Sequence, residues 1–421
     1  MLKIMWCAVA LFMAGLPAFP QDSLNIRRVA ELSLARGYLN GAAVQGGYLF
    51  VGTGGDEAVE GLWVVDVRDP HHPDSVAFDT VSLAGNALEI ALTDSLAIIA
   101  SAQEQVHICS IGNPLAPHVI STVGEGQGFV WDVAVQGHYI YSARYTPRGL
   151  SVADIADPAH PQITGFAAIA DDPSGLCMAG NYAHVTAGLG LYVVDISNPQ
   201  SPAAVAVVPD TGATQVAIWG DYAYVTNYSG TLSVVDVSDP PAAHRIARVQ
   251  TGGYTDGVAA ADDHVFVAAG EGGLQIYDVR DPSSPTLSGY YRLAPWPAKL
   301  TVNPPYAYVT SDEHLLIYDC SQALGAKDRG FIPHPYALSL SAYPNPFNPS
   351  TTLSFSLPKA GNVKLEVFDV TGRLVTTLAD ERFEAGEHTL RFDGSALPSG
   401  VYFARVHTGD VSQTQKLLLL K

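Results

Sequence analysis

The chain is poor in the residues that covalent chemistry and disulfide scaffolds need. It has four cysteines in 421 residues, Cys7, Cys109, Cys177 and Cys320, and no C-x-x-C pair. That spacing offers neither a cysteine metal site nor a disulfide framework. The last three sit in apolar runs and are expected to be small buried hydrophobes. No H-E-x-x-H, G-x-S-x-G, Walker or EF-hand pattern occurs. Ser356-Leu-Pro-Lys359 spells S-x-x-K, but at the end of a strand pattern rather than on a helix. Gly124-Glu-Gly-Gln-Gly128 does not lead from a strand into a helix. The sequence therefore names no catalytic residue. Basic side chains are also scarce: 22 Lys and Arg face 41 Asp and Glu, and charged residues make up only 15%. Residues 359–421 are balanced and the first stretch carries only Lys3, which leaves 13 basic and 33 acidic residues between them. A field of that sign excludes nucleic acid and anionic membrane as partners and keeps an exported chain in solution. Apolar runs long enough for a membrane span are absent too. Met1-Leu-Lys3 with Ile4 to Leu16 is short and reads as a secretory signal peptide, assigned to residues 1–21, with cleavage between Ala18 and Ser23. Cys7 has no lipobox around it.

What the chain has is a repeat. Leu62-Trp-Val-Val-Asp66-Val-Arg-Asp-Pro70, Leu191-Tyr-Val-Val-Asp195-Ile-Ser-Asn-Pro199 and Leu232-Ser-Val-Val-Asp236-Val-Ser-Asp-Pro240 are its clearest copies. Asp154, Asp278, Asp319 and a degenerate Ser110 mark the others. Steps between these seven anchors are 44, 44, 41, 41, 42 and 41 residues. Before each anchor, apolar and polar residues alternate around a tight turn, as in Met178-Ala-Gly-Asn-Tyr-Ala-His-Val185, which predicts a hairpin. A hairpin, the anchor strand and one strand after the proline make four strands per repeat. At this period that predicts a seven-bladed β-propeller over residues 22–330. The last anchor has no strand after it, whereas Arg28 to Leu34 precedes the first hairpin without a partner. The N-terminal strand is therefore expected to complete blade seven. The anchor aspartates, at a strand end before a turn, are expected to hold that turn through backbone N–H groups rather than to bind metal.

The phrase Leu-x-Val-Val-Asp-[Val/Ile]-x-[Asp/Asn]-Pro resembles the LVIVD-repeat propellers of secreted bacterial proteins, over about residues 27–325. The resemblance implies the fold and an extracellular habit, and carries no catalytic residues.

From about Phe331 the character changes. Residues 331–349 read as a proline-rich linker, and residues 342–421 as a small immunoglobulin-like β-sandwich of short alternating strands. Tyr343-Pro344-Asn345-Pro346-Phe347-Asn348-Pro349, Val367-Phe-Asp-Val-Thr-Gly372-Arg-Leu-Val375, Leu397-Pro-Ser-Gly400-Val-Tyr-Phe403 and the ending Gln415-Lys-Leu-Leu-Leu-Leu-Lys421 closely resemble the C-terminal sorting domain of the type IX secretion system. A similar module occurs in flagellar hook-capping proteins, but the leader and terminal lysine favour sorting. The resemblance implies that the type IX machinery is a partner and that the destination is secretion or the outer-membrane surface of a bacterium. An exposed edge strand and a free Leu-rich tail are expected to be received by strand addition.

In a propeller, ligand sites gather where the loops between blades and those after the hairpins surround the channel. Aligning the hairpins puts Gly41, Glu89, Asp132, Gly175, Gln215, Gly257 and Lys299 at the start of the innermost strands. Trp131, Tyr254, Asp256 and Trp296 lie nearby, and the loops after the hairpins add Arg144, Tyr145, Arg148 and Tyr228. Two functions from different classes follow. One is a monomeric binding module that takes a protein or glycan on the Trp131, Tyr254 and Trp296 face, without cofactor. The other is a metal-dependent propeller hydrolase or lyase with a cation among Glu89, Asp132 and Asp256. Calcium would suit those carboxylates with Gln215, unless Lys299 points at them. Adjacent His71-His72, in a turn, are expected to be solvated.

Overall fold

The computed structural model describes residues 23–421 apart from 35–37, 55–60, 80–86, 103–104, 125–128, 293–298, 312–313, 326–338, 344, 346, 358–360, 371, 384–385, 409–410 and 421. The expected signal peptide, residues 1–21, lies outside the described residues. Two compact units span residues 1–327 and 328–421.

The first unit is a seven-bladed β-propeller of antiparallel sheets. Blade 4 sets the pattern, with strands a (Pro173–Ala179), b (Tyr182–Ala187), c (Gly190–Asp195) and d (Ala203–Pro209). The other a strands are Tyr38–Gln45, Ala87–Leu92, Val130–Gln136, Ala213–Trp219, Gly257–Ala261 and Lys299–Asn303. Each a strand packs beside the next, and Lys299–Asn303 packs beside Tyr38–Gln45, which closes the circle. Alternation along the middle strands explains why blades stack. In blade 2, Ala97 and Ile99 face Phe50, Leu62 and Val64 of blade 1. Ile98 and Ala100 face Val130 and Ile140 of blade 3. A period of two thus sends one strand into two cores. Every junction between neighbouring blades holds its own apolar cluster. Burying each large aliphatic side chain contributes about 1.5–3 kcal/mol. Cys109 and Cys320 are buried in such clusters, and all three described cysteines are free thiols.

The anchor residues act as turn clasps. The Oδ1 atoms of Asp66, Asp154, Asp195, Asp236, Asp278 and Asp319 each accept from the backbone N–H two residues on, at 2.8–3.0 Å. A second clasp follows at Asp69, Asn113, Asp157, Asn198 and Asp281, at 3.0–3.2 Å. Asp69 also holds His72 Nδ1 at 2.8 Å. The N–H after each anchor bonds back to the a–b turn in every blade, as from Ile196 to Asn181 O at 2.9 Å. These reciprocal bonds satisfy the backbone groups that a four-strand meander leaves over. In the a–b turns, glycine takes the positive φ, 55° at Gly180 and 58° at Gly220. Their partners Asn181 and Asp221 do not take it. Blade 6 has no glycine there, and Asp262 and Asp263 adopt 51° and 58° themselves.

Closure follows the expectation. Arg27–Ser33 pairs antiparallel with His314–Asp319 as strand d of blade 7. It carries the same register shift that separates c from d in the other six blades. Ile26 and Leu34 are buried at its ends. Ser23–Leu24 goes further and adds to the outer edge of blade 6 beside Tyr290 and Tyr291.

The second unit is a β-sandwich. Ser339–Tyr343, Ser350–Leu357 and Gly386–Asp393 form one sheet, and Leu374–Phe383, Gly361–Asp369, Gly400–Thr408 and Val411–Leu419 the other. Phe347, Phe355, Val367, Phe392, Leu417 and Leu419 fill the space between them. Two expectations need correction. Ser339–Tyr343, read as part of the linker, is a strand paired with Ser350–Leu357. The Leu-rich ending is not a free tail. Val411–Leu419 pairs along its whole length with Gly400–Thr408, because its alternate leucines, Leu417 and Leu419, are fully buried. Its outer edge is fastened as well. Asn345 Nδ2 donates to Lys416 O at 2.7 Å and its Oδ1 accepts from Leu418 N–H at 2.9 Å. Phe347 exchanges backbone bonds with Leu418 and Leu420 at 2.9 and 3.0 Å. In the Tyr343–Pro349 motif, then, Asn345 and Phe347 latch the terminal strand. Asn348 and Pro349 are exposed, Gly372 closes the turn after Asp369, and Gly400 begins a strand. Pro344, Pro346 and Lys421 lie outside the described residues.

Candidate functional site

At the loop-bearing mouth of the channel, the a strands begin irregularly. In blades 1 to 5 the a–b register shifts there. A bulge turns one side chain away from the sheet and lets the next point inward. In blade 3, Val130 pairs with Arg144 and Asp132 with Ala143, so Trp131 is the extra residue. Asp132 is 4% exposed and Trp131 40%. The bulge thus places a carboxylate within and an indole without.

Inside the mouth, four of the seven aligned positions carry long or polar side chains and three are glycine. Glycine is required where a neighbour crosses: a Cβ on Gly41 would come within 2.5 Å of Glu89 Cα. Lys299 extends toward the carboxylates, with Nζ 3.2 Å from Glu89 Oε2. The Gln215 amide accepts from Lys299 Nζ at 2.9 Å and donates to Asp132 Oδ2 at 3.2 Å. Leu176 N–H donates to the same Asp132 oxygen at 2.8 Å. Blades 7, 2, 5 and 3 are therefore joined side chain to side chain across the channel. Three carboxylates lie in the field of one ammonium. Burial and the Glu89 charge push the Asp132 carboxyl well above its ordinary value. Burial raises Asp256 as well. Burial alone would lower Lys299, but Glu89, Asp256 and Asp132 outweigh it and hold the ammonium above its usual range. The ammonium thus stands against Glu89, one of the three carboxylates that a cation there would use. Among the described residues, no group of three or more His, Cys, Asp or Glu side chains is placed to hold a metal ion.

Around the mouth stand two aromatic groups. Phe129 stacks on Trp131, with ring centroids 5.7 Å apart and 23° between planes, and meets Tyr145 edge-on at 6.4 Å. Phe129 and Tyr145 are 39% and 37% exposed. Tyr145 N–H donates to Phe129 O at 2.9 Å, which ties their two loops together. The Arg148 guanidinium lies 5.5 Å from the Tyr145 ring centre and pairs through Nε with Asp172 Oδ1 at 2.5 Å. The second group is Tyr228 stacked on Tyr254 at 5.0 Å. Burial, then Asp256, raises both phenols, so they stay neutral at physiological pH.

Of the residues singled out in the sequence, Glu89, Asp132 and Lys299 meet in one network with Gln215, and Asp256 lies within its field. Trp131 and Tyr145 meet in the first aromatic group, and Tyr254 in the second. Arg144 ends strand b of blade 3 and is only 3% exposed; its side chain turns into the sheet packing, where it lines a small cavity with Ser142 and Ser151 rather than joining the aromatic group. Trp296 lies outside the described residues. Phe129 was not singled out, although its i, i+2 spacing to Trp131 is the signal that two residues share a face.

Five segments match the LVIVD repeat: residues 36–77, 127–168, 172–209, 212–251 and 252–292. Residues 341–420 match the secretion system C-terminal sorting domain. The two blades without a match supply Glu89 and Lys299. No curated protein matches the chain. Among solved structures, the WD40 β-propeller domain of Doa1 aligns with a TM-score of 0.57 at 9% identity, over 71% of this chain and 98% of that one. The WD40 repeats of RRP9 align with a TM-score of 0.57 at 10% identity, over 70% and 99%. The computationally designed Ika8 protein aligns with 0.52 at 10% identity, over 69% and 98%. At such identities the likeness concerns fold alone.

Proposed function

We propose that this LVIVD-repeat propeller, directed by its sorting domain through the type IX secretion system to the cell surface or the extracellular space, is a binding module. Its ligand face is the channel mouth with the Phe129, Trp131 and Tyr145 group and the Tyr228–Tyr254 pair. One observation carries the reading: aromatic rings stand exposed and pre-stacked around a channel that its own lysine has bridged. Surfaces of that kind bind with little ordering cost and lack the open, polarised centre that hydrolysis or elimination requires. The fourfold bridge across the channel speaks against a metal-dependent hydrolase or lyase, because Lys299 already neutralises Glu89. Screening the mature protein on glycan and protein arrays beside Trp131→Ala tests the reading, with loss of signal in the variant expected. Stoichiometric calcium, zinc or iron in the purified protein would overturn it.

The latch on the terminal strand supports a role for Asn345 in export, since the machinery then receives a folded sandwich rather than a loose tail. Removing residues 343–421 is expected to leave the protein in the periplasm. Asn345→Ala is expected to lower surface display without lowering synthesis, as read by fractionation. Full display of both variants would refute this route.

A further inference from the structure

Resting on the reading of the channel mouth as a ligand face, we propose that the Phe129, Trp131 and Tyr145 platform is a subsite for a neutral saccharide, with Arg148 and Asp172 as its polar rim. The first argument is the kind of apolar surface exposed. Of the large apolar side chains exposed on the described part of this rim, Tyr38, Phe129, Trp131, Tyr145, Tyr228 and Tyr254 are aromatic, and only Leu189 is aliphatic. A pyranose turns a row of weakly positive C–H bonds toward the negative face of an aromatic ring, a match that aliphatic chains do not offer. The second is preorganisation. Stacking at 5.7 Å, the edge contact at 6.4 Å and the Tyr145–Phe129 backbone bond of 2.9 Å fix the three rings before any ligand arrives.

The third argument is the rim. Arg148 and Asp172 come from different loops and form an ion pair beside the rings, with Nε 2.5 Å from Oδ1. Planar fork donors and a carboxylate side by side suit vicinal hydroxyls, each of which both donates and accepts. The fourth is charge. The Arg148–Asp172 pair sums to zero, and the channel beneath holds three carboxylates against one ammonium. Across the region between leader and sorting module, 33 acidic residues face 13 basic ones. Uronates and sulfated glycans are repelled by such a field, and uncharged sugars are not.

The test uses the mature full-length protein and titration calorimetry with cellohexaose, xylohexaose, mannohexaose and hexagalacturonate, with a random dodecapeptide array as a parallel arm. At least one neutral hexasaccharide is expected to bind and to shift the tryptophan emission. Trp131→Ala is expected to weaken that binding about tenfold or more, equivalent to ~1.4 kcal/mol, at an unchanged melting temperature. Trp131→Phe is expected to restore most of it. Binding of hexagalacturonate alone, or of no saccharide, would overturn the saccharide assignment. Trp131-dependent binding of peptides in its place would do the same while leaving the binding reading intact. Ligands that ignore Trp131→Ala altogether would defeat both.

Discussion

The two ends of the propeller are built on different terms. At the end that carries the a–b and c–d turns, blade after blade repeats the same clasp: an Asp Oδ1 on the N–H two residues on, and a bond from the next N–H back to the hairpin. At the other end the blades diverge. Gly41, Glu89, Asp132, Gly175, Gln215, Gly257 and Lys299 occupy one aligned position with four kinds of chemistry. Five bulged strand starts and two regular ones present them. Sequence regularity in this chain marks what holds the ring, and departure from it marks what the ring offers to other molecules.

That contrast is best broken at the ring itself. Deleting residues 23–34 removes the outer strand of blade 7 and the burial of Ile26 and Leu34. Two lost aliphatic anchors cost about 4 kcal/mol or more, which lowers the melting temperature by about 10 °C; an unchanged calorimetric midpoint would contradict the closure. Next in size is Lys299→Met, which strands Glu89, Asp132 and Asp256. A loss of about 3 kcal/mol is expected at pH 7. The deficit should shrink toward pH 5, because Asp132 and Asp256 already have raised values and take up protons as pH falls. A pH-independent deficit in urea unfolding would show that the carboxylates are not charged there. A paired comparison sharpens the difference between ends. Asp195→Ala should lower the melting temperature modestly and leave ligand binding intact, whereas Trp131→Ala should stay within about 0.5 kcal/mol of wild type and lose the ligand.

The smallest effect is the acid limb of stability. Arg68 lowers Asp66, the Ser197 N–H lowers Asp195, Ser238 lowers Asp236, and Arg280 lowers Asp278 to about 2. A carboxyl depressed on folding stabilises the native state above its ordinary value of 3.8 and loses that contribution as pH falls toward 2. Asp278→Asn is therefore expected to flatten the melting-temperature profile between those values, by lowering the midpoint slightly at neutral pH and leaving it unchanged near the acid end.

The repeat was legible because each blade solves the same backbone problem with the same residue types, so Asp66, Asp195 and Asp236 stand in register and count the blades. Closure was legible for the converse reason, an apolar strand at one end of the chain and a missing one at the other. Side-chain direction at the channel mouth was not. Whether Lys299 reaches Glu89 depends on how far a lysine extends across an axis that no local pattern measures. Arg144 and Tyr145 are adjacent, and only the pleat decides that one is buried and the other exposed. The ending misled in a different way. Four consecutive leucines mask a period of two, in which Leu417 and Leu419 are buried and Leu420 is exposed.

The strand synthesised first is the one used last. Arg27 and its partner Asp319 stand 292 positions apart, so six blades can assemble while the strand Arg27–Ser33 waits, held only by the two-residue foothold of Ser23–Leu24 on blade 6. Only arrival of the final hairpin gives that strand its partner. A polypeptide cut short before that point leaves it unpaired, which makes completion of the circle a built-in test that the whole message was delivered.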